Sequence, residues 1–169
     1  MARTADELKK IILESQENFD IASLYVLERE AHEVLDEDAM QGLYANILDL
    51  ALEKLTDALE AHRKMNMGEV QDFATLRALY EYAMEHYSAG QATDASALFE
   101  VLSGLSDDDK FSSAMKLHWI ASAEGVELED FLETIADLDA TQNAGTFYVS
   151  EFSKKAQELL GKSQSKGAR

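Results

Sequence analysis

The stretch 76–109, LRALYEYAMEHYSAGQATDASALFEVLSGLSDDD, constrains the fold more than any other part of the chain. Leu76, Leu79, Tyr80, Ala83, Met84 and Tyr87 recur at offsets of three and four, which gathers them on one side of a helix. Gly90 follows, where a residue in the left-handed conformation would end that helix. The helical period resumes through Ala95, Leu98, Phe99 and Leu102 and stops at Ser103-Gly104. The pattern predicts two helices folded back on one another. Ala83 and Ala95 are small enough to let their backbones approach closely.

The spacing of these landmarks resembles the 34-residue tetratricopeptide repeat. A weaker copy follows, with Gly125 thirty-five residues after Gly90. Ala114, Leu117, Trp119 and Ala121 precede that glycine, and Leu128, Phe131, Leu132 and Ile135 form the next apolar stripe. The position where a small residue is expected holds Asp130. Two repeats cannot bury their own faces, so flanking helices must complete the core.

Residues 1–70 supply such flanks. Thr4 and Glu7 form a capping box ahead of a helix carrying Leu8, Ile11, Ile12 and Phe19. A second helical pattern runs from Ile21 to Leu35, and a third over 38–65 ends with His62, Arg63 and Lys64 in its last turn. The repeat pair occupies 71–140, with Ser106 as the N-cap of its third helix. Beyond it the sequence predicts a loop at 141–145 and a capping helix with Phe147, Tyr148, Phe152, Ala156, Leu159 and Leu160, the cap spanning 141–161. A disordered basic tail over 162–169 is expected to close the chain. No segment alternates like a strand. The fold class is therefore all-α, helix–turn–helix repeats of tetratricopeptide kind with an N-terminal helical extension.

The absence of proline favours long helices, and the absence of cysteine excludes disulfides and thiolate metal sites. No apolar run reaches the length that a membrane crossing requires. The net charge is −18, concentrated where 71–150 hold 15 Asp/Glu against 3 Lys/Arg. Such a body repels phosphate backbones, which disfavours nucleic acid as a partner. It would attract a basic protein segment, or serve solubility alone.

The repeat stretch is also similar to the first repeat of the class II chaperones of bacterial type III secretion, the LcrH/SycD kind. The residues that carry the likeness are Leu76, Leu79, Tyr80, Ala83, Tyr87, Gly90, Ala95, Phe99 and Leu102, and it continues through Gly125 to Asp139. The resemblance implies a bacterial cytoplasmic chaperone. It would hold a secreted client protein, or a component of the secretion apparatus, in a groove lined by the inner helices. Carried onto this chain, the groove is Arg77, Tyr80, Met84, Tyr87, Met115 and Trp119, with Ser112 and Ser122 beside them. These same side chains would be core if the helices of 1–65 or 146–160 covered them. A homodimer through the N-terminal region is a further implication of the resemblance.

No catalytic constellation emerges. Glu28, His32 and Asp36 share a helix face at intervals of four, but no fourth metal ligand accompanies them. There is no glycine-rich phosphate loop and no nucleophile elbow. The chain is expected to be no enzyme, with neither cofactor nor metal. The alternative to a chaperone is a helical scaffold subunit of a fixed assembly.

Overall fold

The computed structural model describes residues 3–167, with side chains described as far as Gly161. It is all-α. The helices are α1 (Ala5–Glu17), α2 (Ile21–Val34), α3 (Glu37–Glu60), α4 (Val70–Ser88), α5 (Ala92–Leu105) and α6 (Asp109–Ala123). A short turn, α7 (Leu128–Asp130), then runs into a wider helical turn over Phe131–Ile135, and α8 (Leu138–Ala144) and α9 (Lys155–Gly167) complete the chain. Two compact units result, Met1–Leu79 and Tyr80–Arg169, so the division falls inside α4.

Carboxylates start many of these helices, which explains part of the acidity. Asp20, Asp36, Asp108 and Asp137 each accept the amide three residues ahead, that of Ser23, Ala39, Phe111 and Ala140. Thr4 does the same for Glu7 in α1, at 3.2 Å. The cap of α6 is therefore Asp108 and not Ser106. The Ser106 hydroxyl instead accepts the Asp108 amide, tightening the turn that leads into the helix.

Four helices end in one and the same way. A residue of positive φ donates back across the last turn, and its successor donates one residue further in. Gly90 and Gly125 do this after α4 and α6, with φ of 79° and 85°. Phe19 and His62 do it after α1 and α3, with φ of 55° and 53°. Left-handed backbone costs a side-chain-bearing residue about 1–2 kcal/mol. The early end of α3 takes His62, Arg63 and Lys64 out of the helix to which the sequence assigned them. Arg63 instead reaches Asp72, at 3.2 Å, and the same carboxylate accepts the Asn66 amide at 2.9 Å.

In the first unit α1 packs on α2 and α3, and α2 packs on α3. Leu8, Ile21, Leu24, Ala31, Ala51 and Met65 are fully enclosed there. In the second unit α5 and α6 are joined by three residues and pack along their length. Phe99, Phe111, Met115 and Phe131 fill its core, and Ala83 and Ala95 are both wholly buried.

The C-terminal region departs from expectation. Residues 141–144 belong to α8, and Gly145 ends it with a φ of 70°. Residues 146–154 are not helical but cross the second unit as a strap that bends at Phe147 and Tyr148, where the Thr146 hydroxyl meets the Tyr148 carbonyl and the Ser150 hydroxyl. Phe152 of the strap makes an antiparallel bridge with Ala136. The capping helix starts only at Lys155, and its backbone continues over 162–167, which were expected to be disordered. Ala168 and Arg169 of that tail lie outside the described residues.

Two stability outcomes follow from this packing. Ala95→Leu forces a larger side chain into a fully enclosed site and should cost about 1–3 kcal/mol in urea unfolding; an unchanged midpoint would refute close approach there. His62→Gly, at an exposed left-handed position, should add about 1 kcal/mol, and a loss would show that the imidazole makes a contact worth more than its strain.

Candidate functional site

The residues expected to line a groove fall into three groups. Arg77 lies in the first unit, where its guanidinium sits 3.9 Å over the Tyr25 ring and 3.4 Å from the Glu28 carboxylate. Met84 and Trp119 are half-buried. Tyr80, Tyr87 and Met115 are no open groove: they are 4%, 4% and 0% exposed. The strap expected as a helix is the reason for much of this. Non-helical, it lays Phe147, Tyr148 and Val149 on Tyr80, on the face that the resemblance reserves for a partner.

Tyr80 is the hub. Its ring lies 5.3 Å from His118, 6.1 Å from Phe147, and 6.3 Å from both Phe99 and Tyr148. Its hydroxyl joins a chain of hydrogen bonds whose direction can be deduced. The Ala114 carbonyl only accepts, so His118 Nδ1, 2.7 Å away, carries a proton and donates to it. In the neutral ring Nε2 is then bare and accepts from the Tyr80 hydroxyl at 2.9 Å. The Tyr80 oxygen in turn accepts the Val149 amide of the strap at 3.1 Å.

Burial keeps this chain of bonds uncharged. His118 is wholly enclosed by Tyr80, Phe99, Phe131 and Phe152, and desolvation lowers its pKa from 6.5 to about 4. The same cause pushes the Tyr80 phenol well above its ordinary 10. Tyr148 rises to about 12, through burial first and then the nearby Asp108 and Glu151. Tyr87 donates to the Val126 carbonyl and so holds the turn after α6. An imidazole sealed in this way meets no substrate, so it is a structural polar group in an aromatic core.

The strap is held mostly by its backbone. The Asp137 amide donates to the Glu151 carbonyl at 2.9 Å, and the Ser153 amide to that of Ile135 at 2.8 Å. The Glu151 amide finds the Thr141 hydroxyl at 3.1 Å. Its side chains lie on aromatic neighbours: Tyr148 and Phe147 on Phe111 at 5.0 and 5.8 Å, Phe152 on Phe131 at 6.5 Å. Lys110 pairs with Glu151 at the edge, 3.1 Å away.

The residues that sequence reasoning missed are Phe111, His118 and the strap aromatics. For α6 the signal was available. Phe111, Ala114, Met115, His118, Ala121 and Ser122 share a face at helical spacing, and all are buried. The expected inner face of Ser112, Met115, Trp119 and Ser122 was chosen from a repeat template, and it is rotated by about 100° where it substitutes Ser112 and Trp119 for Phe111 and His118.

The acidic helix face of α2 is engaged by neighbours. Tyr44 donates to Glu28 and accepts from His32 Nε2 at 2.9 Å, and Asp36 caps α3. Among the described residues no cluster of three or more His, Asp or Glu side chains is arranged to hold a metal ion, and no helix is long and apolar enough to cross a membrane. The chain matches no protein-family model, no curated protein and no solved structure.

Acid should reveal the buried imidazole. The unfolded chain binds a proton at His118 below about pH 6.5 and the folded chain only near pH 4, so stability falls as pH drops through that window. The loss should reach about 3 kcal/mol. Urea unfolding from pH 7 to 4 should therefore be flatter for His118→Gln than for the parent, and identical slopes would place a proton on the folded imidazole.

Proposed function

We propose that this chain is a non-catalytic protein-binding chaperone, similar to the tetratricopeptide chaperones of type III secretion, and that it holds an extended segment of a secreted client in the bacterial cytoplasm. One observation carries the reading. The face of the second unit built from the C-terminal part of α4, from α6 and from residues 135–137 already holds a non-helical segment, 146–153, through backbone hydrogen bonds and aromatic contacts. Main-chain hydrogen bonds with aromatic pockets between them are a general means of binding peptides of varied sequence. The net charge of −18 favours encounter with a basic client and disfavours nucleic acid.

The second reading is a scaffold subunit with a fixed partner. The burial of Tyr80, Tyr87 and Met115 favours it, because a permanently filled face leaves binding to other surfaces. In the first unit Leu13 is 54% exposed beside an apolar cleft of about 340 Å³ bounded by Ile12, Leu35, Ala39 and Leu43.

Co-purification from the native host, followed by mass spectrometry, separates the two. A chaperone should bring down an export substrate in complexes whose association slows between 0.1 and 1 M salt, as the screening length contracts from about 10 to about 3 Å. A single stoichiometric non-exported partner would establish the scaffold instead.

A further inference from the structure

We propose that residues 146–153 are an exchangeable internal ligand, and that the partner which displaces them is a non-helical peptide segment with the same aromatic spacing. The inference rests on the chaperone reading and specifies both the client's chemistry and the control of its site. Two adjacent aromatic residues would take the places of Phe147 and Tyr148 against Phe111. A third aromatic, four positions after the second, would take the place of Phe152 against His118 and Phe131. An acceptor one position before that last aromatic would meet Lys110, as Glu151 does.

The manner of attachment makes exchange feasible. The bonds from Val149, Glu151 and Ser153 use backbone amides, and Asp137 uses the Glu151 carbonyl, so a peptide that follows the same path can repeat them whatever its side chains. The strap leaves α8 through Gly145, which takes its left-handed φ of 70° without side-chain strain. Its outer aromatics, Phe147 and Phe152, are only half-buried, and the ion pair of Glu151 with Lys110 is half-exposed and weak. Tethering gives the strap an effective concentration near the millimolar range, so a partner must outcompete it. While no partner is present, the strap keeps the aromatic face from water.

Hydrogen exchange on the intact chain tests the opening. The amides of Val149, Glu151 and Ser153 should exchange at least tenfold faster than those of Leu117 and His118, through an opening that leaves α5 and α6 protected. Exchange of all five at one rate, with one denaturant dependence, overturns the proposal. A tether tests displacement. Ala136 and Phe152 face each other without mutual hydrogen bonds, a pairing whose Cα separation of about 4.5 Å suits a disulfide. The chain has no cysteine of its own.

The probe is a fluorescein-labelled synthetic peptide, AGTFYVSEFSK, which repeats residues 144–154. The Ala136→Cys/Phe152→Cys protein should bind it at least tenfold more tightly when reduced than when oxidised. Equal binding in the two states overturns the proposal, and if the double variant does not fold, exchange on the parent chain decides alone. A strap that opens in a chain capturing no export substrate keeps this inference and ends the chaperone reading. A client held equally well with the strap locked does the reverse.

Discussion

A tyrosine hydroxyl inside an aromatic core must both give and receive a hydrogen bond, or burying it costs a few kcal/mol. In the second unit this requirement is met by the chain that runs from the Val149 amide through Tyr80 to His118 and the Ala114 carbonyl. Every member is used once in each direction that its chemistry allows. The imidazole must stay neutral for this to work, and the surrounding rings ensure that it does. The strap is tied into the same arrangement, since it supplies the first donor. Without it the Tyr80 oxygen would lose its donor and the aromatic face its cover.

Around that centre the hairpin of α5 and α6 provides the wall. α6 encloses Phe111, Met115, Leu117, His118 and Ile120, while Lys110, Ser113 and Lys116 stay exposed on its other side. Of the residues expected on its groove face, Met115 and Ser122 are enclosed and Ser112 and Trp119 are half-buried. The strap that lies across the second unit is held mostly through backbone groups, which another chain can supply without a change in the pattern of hydrogen bonds.

The first unit is stabilised by different means. Its turns place Phe19 and His62 in left-handed backbone, where glycine would be easier, and its helix starts rely on aspartate. Arg77 is fixed between the Tyr25 ring and Glu28, and Asp72 gathers Arg63 and the Asn66 amide. These are polar ties specific to their partners. They account for residues that looked, from spacing alone, like a groove cation and a helix-end cluster.

Local chemistry was readable in the chain itself. The helical periods of 76–102, the left-handed glycines at 90 and 125 and the small residues at 83 and 95 all depend on neighbours within a few positions, and the structure contains each of them. The all-α class followed for the same reason. The course of 146–154 was not readable. Phe147, Tyr148 and Phe152 have spacing that a helix would accept, and the aromatic face of Tyr80, Phe111 and His118 is what they pack on instead. Burial of Tyr80, Tyr87 and Met115 was likewise a tertiary outcome, because an apolar helix face has the same sequence whether a client or its own chain covers it. Periodicity fixes which side chains point together. What they point at is decided by segments tens of residues away, through contacts that leave no periodic trace.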